Sequence, residues 1–340
     1  MRTPHPADHL ACPVDGTRLH REGDALVSET GRRYPPAAGS WDLRAEAADA
    51  NNVLQAEIYD AKVGEFSDLD HAHNLMLVHQ RHLLETLSLA RGERVLEMGA
   101  HRSGVLPWLE RTYGIVGSGV DIAAGWVHAQ NLAAARRGSE TRWYVADAEQ
   151  LPFADQSFSA IVAFDVLEHV TDLDRALRDC ARVLRPGGRL VCHLPVRDIE
   201  GSWDGIQRWW DAAGYAARQA SVGHFHERLP TRRQFATHLE QVGFQMVDQQ
   251  SFNVWVQPLH DHRFLGALGA VRRKVAGARG AASATVPAGP TEAGHGASRF
   301  QKVYARLAVP LVRAMSAPDH VGRALGIGGS CSFIAERLPG

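Results

Sequence analysis

Between residues 94 and 196 the chain alternates short apolar blocks with longer stretches whose apolar positions recur every three or four residues. The blocks "RVLEMG", "GIVGSGVDI", "TRWYVAD", "FSAIVAFDV" and "GRLVCHLPV" are short and rich in β-branched residues, as strands are. Between the last two, "DLDRALRDCARVL" sets Leu173, Leu177, Cys180 and Leu184 on one stripe, predicting a helix capped by Thr171 and ended by Pro186-Gly187-Gly188. Strands alternating with helices predict a parallel sheet covered on both faces. Beyond it, "EGSWDGIQRWWDAAGYAARQ" predicts one added helix, with Trp203, Trp209 and Trp210 anchoring it to the sheet or forming an aromatic wall for a sugar or ring substrate, the first being the reading taken. "TRRQFATHLEQVGF" predicts a helix capped by Thr231, facing inward through Phe235, Leu239 and Val242 and stopped by Gly243. "FQMVDQQSFNVWV" and "CSFIAERL" read as two further strands, and a helix is expected near 300–315.

Upstream, residues 10–43 read as short β pieces punctuated by Gly, Asp and Pro, and 51–90 as helical. His71, His73, His79 and His82 fall on that helical stretch, where solvent exposure is expected. Residues 275–298 are rich in Ala, Gly, Pro and Ser and predict a flexible loop. The organisation expected is therefore a module at 1–45, a helical cap at 46–90, and a main domain at 91–340 with insertions at about 197–230 and 256–325.

Charge adds one exclusion. With 37 Lys and Arg against 38 Asp and Glu, the net charge of −1 gives no electrostatic footprint for a polyanion, so nucleic acid is not the expected partner. Four cysteines without a C-x-x-C pair give neither a disulfide framework nor a complete zinc site. No apolar run reaches the length of a membrane span and the start lacks a signal-peptide core, so a cytoplasmic protein is expected.

Four features then occur in order at the C-terminal ends of predicted strands, where open α/β sheets bind ligands. Glu97-Met98-Gly99, with Gly104 opening a helix, lets backbone approach a ligand. Asp121 ends the next strand, where a carboxylate suits the two hydroxyls of a ribose. Asp147 in "VADAEQLPF" can accept from an exocyclic amine, and "FDVLEHV" with "RVLRPGGRLV" completes the series. A dinucleotide site would need Gly-x-Gly-x-x-Gly, and "GAHRSG" lacks the second glycine. Together these features resemble the class I S-adenosylmethionine-dependent methyltransferases, over 94 to about 195 and again from 231 onward.

The resemblance implies an α/β, Rossmann-like fold: a seven-stranded sheet with an antiparallel last strand, helices on both faces, and S-adenosylmethionine as cofactor. It implies a cofactor site of Tyr59, Glu97, Gly99, Ala100, His101, Asp121, Ile122, Asp147, Ala148 and Asp165, with Glu97 and Gly99 near the methionine, Asp121 at the ribose and Asp147 at the adenine. The family's acidic-x-Gly-x-Gly-x-Gly loop departs here, since His101 stands at the second glycine and Ser103 or Gly104 at the third. If that position requires φ > 0, the strain is about 1–3 kcal/mol.

Methyl transfer from a sulfonium is an in-line displacement, so the protein aligns the nucleophile and, for a hydroxyl, removes a proton. Candidate bases are His169, beside the expected reacting centre, and His224 and His226, which alternate in "GHFHERLP" and can face one pocket. Asp165, Glu168 and His169 at i, i+3 and i+4 also permit a divalent metal, as in the ubiquinone-pathway O-methyltransferases that look similar here; the reading taken is without metal.

The module "CPVDGTRLHREGDALVSETGRRYPPAAGSWDL" resembles a zinc ribbon of the transfer-RNA methyltransferase-activator type in Cys12, Tyr34, Pro35 and Gly39. Asp15 replaces a cysteine and the second pair is missing near Ser28 and Thr30, so a metal-free module that covers the substrate pocket or makes a subunit contact is expected. The function these readings support is methyl transfer to a small organic acceptor, by preference a hydroxyl in tailoring of a glycan, lipid or secondary metabolite. A ribosomal-RNA guanine methyltransferase and a non-catalytic scaffold are the alternatives, and a homodimer is left open.

Overall fold

The computed structural model describes residues 9–45, 50–63, 81–100, 104–220, 223–224, 226–252, 254–255 and 317–339. The expected loop at 275–298 and helix at 300–315, and His71, His73 and His79, lie outside these residues.

The alternation folds as the pattern predicts. Strands β6 (Arg94–Met98), β7 (Val116–Asp121), β8 (Arg142–Val145), β9 (Phe158–Phe164) and β10 (Leu184–Pro195) are joined by helices α3 (Val105–Tyr113), α4 (Ala124–Arg137) and α5 (Leu173–Val183). With β11 (Phe244–Phe252) and β12 (Ser330–Arg337) they form one seven-stranded sheet in the order β11-β12-β10-β9-β6-β7-β8. Pairing is parallel from β10 through to β8, and β12 lies antiparallel between β10 and β11. All five central strands therefore end at the same edge, which is the edge that can bind a ligand.

Each face of the sheet is covered. On one, Ala176, Leu177 and Cys180 of α5 and Phe235 and Leu239 of α8 (Arg232–Gln241) pack with Leu96, Ile161 and Leu190. On the other, α2 (Arg81–Glu85), α3 and α4 bring Leu83, Leu84, Leu109, Trp126 and Val127 against Val95, Val162 and Val191.

Three local expectations change. The cap of α5 is Asp172, whose carboxylate accepts from the Arg175 amide at 2.9 Å, and not Thr171. Thr171 instead donates its own amide to Glu149 at 2.6 Å, one position too early to cap. Leu184 leaves the helix stripe to start β10, and Pro186-Gly187-Gly188 falls in an irregular register between Leu184 and Arg189. The inserted segment forms two helices, α6 (Trp203–Trp210) and α7 (Ala212–Ala220), because Asp211 caps a restart by accepting from the Gly214 amide at 2.8 Å. Trp209 and Trp210 are 81% and 82% exposed, so they do not anchor α6 to the sheet. Thr231 does cap α8, in a reciprocal capping box with Gln234.

The N-terminal strands β1 (Leu19–Glu22), β2 (Ala25–Ser28) and β3 (Arg33–Tyr34) form a small antiparallel sheet, followed by the pair β4 (Pro36–Ala37) and β5 (Ser40–Trp41). This module joins the main core rather than standing apart: Leu10, Leu26, Tyr34 and Leu43 bury into the cluster that holds Phe153 and Phe158. Asp42 bridges to Val145 on edge strand β8, and His9 stacks on Phe153 while meeting Ser118 Oγ at 3.1 Å. Where the resemblance would place zinc ligands, Asp15 accepts from Thr17 and Thr30, Thr30 meets Ser28, and Cys12 Sγ lies 3.0 Å from the Tyr34 hydroxyl.

Candidate active site

The end of β6 makes a tight turn over the sheet edge. Gly99 has φ +89°, and a Cβ there would fall 2.5 Å from Val166 Cγ2, so both the backbone conformation and the space exclude a side chain. Glu97 is buried, and its Oε2 accepts from the Leu106 amide at 3.1 Å, tying the strand to the first turn of α3. Its other oxygen has no partner, and burial pushes the carboxyl up to about 8. His101 and Ser103, the departures from the glycine loop, lie outside the described residues.

Asp121 closes β7 and gathers the neighbouring backbone. It accepts from the Ala100 amide at 2.6 Å and from the Ala123 amide at 2.7 Å, while Ile122 lies between them, half-buried. Burial pushes its carboxyl up to about 6 against those hydrogen bonds. The Ala100 amide is thus turned to a protein carboxylate, and its carbonyl accepts from Gln130 at 2.7 Å.

A helix that the sequence assigned only to a general helical cap completes the edge. Helix α1 (Ala50–Asp60) crosses it with its polar side chains turned inward. Asn52 donates to Asp147 Oδ2 at 2.7 Å, whose other oxygen accepts from the Glu149 amide; Ala148, between them, is half-buried against the core. Asn51 donates to the His169 carbonyl at 2.6 Å, and Asp60 accepts from the Gly125 amide at 2.8 Å. The Tyr59 hydroxyl lies 3.2 Å from His169 Nε2, and its carbonyl holds Trp126 Nε1 at 2.7 Å.

The acidic-histidine run after β9 is a turn, not the helix needed to bring Asp165, Glu168 and His169 onto one face. Asp165 sits at φ 56°, a left-handed conformation that turns its carboxylate toward His193 Nε2 at 3.8 Å. Glu168 is wholly buried and faces His224 Nε2 at 3.3 Å and His169 Nε2 at 3.8 Å. The His169 and His224 rings are 4.9 Å apart. Ligand atoms of Glu168, His169 and His224 lie within 4.8 Å of one another, so these three, rather than a set including Asp165, are the residues that could share an ion. His226 starts a short 3-10 turn and packs edge-on against Tyr215 at 5.9 Å, which separates it from His224.

Electrostatics sort the cluster. Burial alone would push the Glu168 carboxyl up, but the imidazoles beside it, with the hydrogen bond and charge of His224, lower it on balance. Burial lowers His169 despite the nearby Glu168, so its imidazole stays neutral, whereas Glu168 overcomes burial at His224 and raises it. His224 Nδ1 is held by Gln219 Oε1 at 3.0 Å, while His169 Nδ1 has no partner. Asp165 has a half-exposed side chain, and its partial desolvation together with the Glu168 charge raises it. His193, at the end of β10, is held by Ser332 Oγ at 2.8 Å and lowered to about 4 by burial.

His193, Asn51, Asn52 and Gln55 were not singled out from sequence. His193 had a signal, its position at the C-terminal end of "GRLVCHLPV"; the polar residues of α1 had none, since their partners are distant in the chain. His82, as expected, is exposed, meeting Gln250 Oε1 at 2.6 Å.

Comparison with known proteins shows what the strands of this edge resemble. Residues 96–192, from β6 to β10, match the family described as "Methyltransferase domain". The seven-stranded sheet, with its single reversed strand, is the class I methyltransferase fold, and it superposes on Haemonchus contortus phosphoethanolamine N-methyltransferase 2 in complex with S-adenosyl-L-methionine with a TM-score of 0.53, at 13% identity over 94% of this chain and 71% of that one. Among sequences, the chain is similar to methyltransferase GfsG of Streptomyces halstedii, 33% identical over 155 residues that make up 44% of this chain and 56% of the relative. It is 35% identical over 129 residues to the ubiquinone/menaquinone biosynthesis C-methyltransferase UbiE of Brucella canis, covering 34% of this chain and 46% of that protein. The chain spans about half the length of the curated relatives it matches. Among the described residues no helix is long and apolar enough to cross a membrane.

Proposed function

We propose that the protein is an S-adenosylmethionine-dependent methyltransferase that transfers the methyl group to a hydroxyl oxygen of a small organic acceptor. The observation that carries this reading is the neutral His169, set 3.8 Å from the buried Glu168 that also faces His224 at 3.3 Å, at the sheet edge where Gly99, Asp121 and Asp147 converge. The cofactor supplies an electrophilic methyl group. Asp121 is positioned for the ribose hydroxyls and Asp147 with Ala148 for the adenine, and Glu97, with its free buried oxygen, for a cationic group of the methionine.

In this scheme the acceptor hydroxyl lies against His169, which takes its proton as the oxygen attacks the methyl carbon. Tyr59 fixes the imidazole from its other nitrogen, and Glu168 stabilises the imidazolium that forms. His224, already charged, neutralises Glu168 beforehand, so a carboxylate can persist in a dry site. No step is assigned to His226 or to a metal.

The likeness to UbiE, named for carbon transfer, favours a second reading in which the same base removes a proton from an activated carbon. Protein given methyl-labelled S-adenosylmethionine and a panel of hydroxylated acceptors separates the two, because NMR of the product distinguishes a methoxy from a C-methyl carbon. His169→Asn and Glu168→Gln are expected to lower transfer at least about 100-fold with S-adenosylhomocysteine binding retained. Transfer by His169→Asn at the wild-type rate contradicts the scheme.

A further inference from the structure

Helix α1 is built inside out. Val53 and Leu54 are 45% and 42% exposed, while Asn52 and Gln55 are buried. Asn51, Asn52 and Tyr59 account for their inward direction through their contacts with His169 and Asp147. Gln55 does not: it lies three residues after Asn52 and four before Tyr59 on the same face, only 4% exposed, and neither its Oε1 nor its Nε2 has a hydrogen-bond partner. A buried primary amide with both ends unpaired is costly, and each such group calls for a physical reason.

The opposite wall supplies one. Gly223 adopts φ +78°, and a Cβ on it would fall 2.8 Å from Gln55 Nε2 and 3.0 Å from Oε1. The glycine therefore leaves room for the amide at the turn that delivers His224 to Glu168. The Gln55 amide thus lies against Gly223, one residue before His224 of the reacting cluster, buried and unpaired.

We propose that Gln55 is an acceptor-binding residue that reads a second oxygen next to the one methylated, so that the acceptor is a vicinal diol of sugar or catechol type. This rests on the methyl-transfer reading. The amide offers one carbonyl acceptor and an NH2 donor, and a hydroxyl offers both complements, so one neighbouring hydroxyl pairs both ends. An acceptor with a lone hydroxyl leaves the amide buried and unpaired, which is the strongest means a polar site has of rejecting an analogue.

The test uses the full-length protein saturated with S-adenosylhomocysteine, titrated by NMR with catechol and methyl glucoside against phenol and cyclohexanol. At least one diol is expected to bind at least about tenfold more tightly than its mono-hydroxyl counterpart. Gln55→Leu removes that preference while leaving the S-adenosylhomocysteine affinity unchanged, and Gln55→Glu, which keeps an acceptor, retains part of it. Absence of any diol preference, or its persistence in Gln55→Leu, overturns the assignment. Loss of S-adenosylhomocysteine affinity in Gln55→Leu also overturns it, by giving the residue to the cofactor. If the wild-type protein binds no S-adenosylhomocysteine, the methyl-transfer reading itself fails, a result distinguishable from the others.

Discussion

Glu97 shows how much of the site's chemistry rests on burial. Its carboxyl moves from 4.5 to about 8 on folding, so its neutral form is favoured in the folded state. The sign follows: this contribution to stability is present below pH 4.5 and lost as pH rises to about 8. Glu97→Gln is expected to flatten the stability-pH curve over that interval, measured by urea unfolding at several pH values; an unchanged slope contradicts the assigned burial. Gly99→Ala forces a Cβ against Val166 at positive φ and is expected to cost about 1–3 kcal/mol in the same assay, with cofactor affinity reduced. At the cluster, the lowered His169 predicts that methyl transfer rises with pH along an acid limb centred below 6.5, and a limb above 6.5 points to a different base. Of these residues, Gly99, Asp121, Asp147 and His169 were legible because each stands at a strand end. His193 and Gln55 were not singled out, since their significance comes from Ser332, Asp165 and Gly223, far away in the chain.

Among elements, periodicity fixed the strands and most helices, and the errors fell at the ends. Thr171 and Asp172 are both competent caps by type, and Glu149 takes both of their amides, so the helix starts at Leu173 with the Asp172 carboxylate on the Arg175 amide. Asp172→Ala is therefore expected to destabilise the protein by about 1 kcal/mol in thermal or urea unfolding. The break between α6 and α7 has the same origin, a short polar side chain at Asp211 that bonds its own backbone and restarts the helix. Apolar pattern alone misled at Trp209 and Trp210, since tryptophan on an inserted helix reads as an anchor and here faces solvent. At α1 the inward face is polar because it meets polar groups at the sheet edge rather than an apolar core.

Across the whole molecule, the N-terminal module, expected to cover the substrate pocket or make a subunit contact, adds to the sheet's own core. Leu10, Leu26 and Leu43 are at most 1% exposed within the cluster that includes Phe153. One calorimetric transition is predicted for the module and the sheet together, and a separate early transition assigned to residues 9–43 contradicts it. The seven strands and the antiparallel last one were legible through the family resemblance, while their order comes from the structure, and the site follows from the strand ends that it brings together. The most direct test of methyl transfer is calorimetric titration of the protein with S-adenosylhomocysteine, beside Asp121→Ala. Saturable one-to-one binding is expected, weakened at least about tenfold by the substitution, since Asp121 orders the Ala100 and Ala123 backbone at the strand end. No binding by the wild-type protein at millimolar ligand contradicts it.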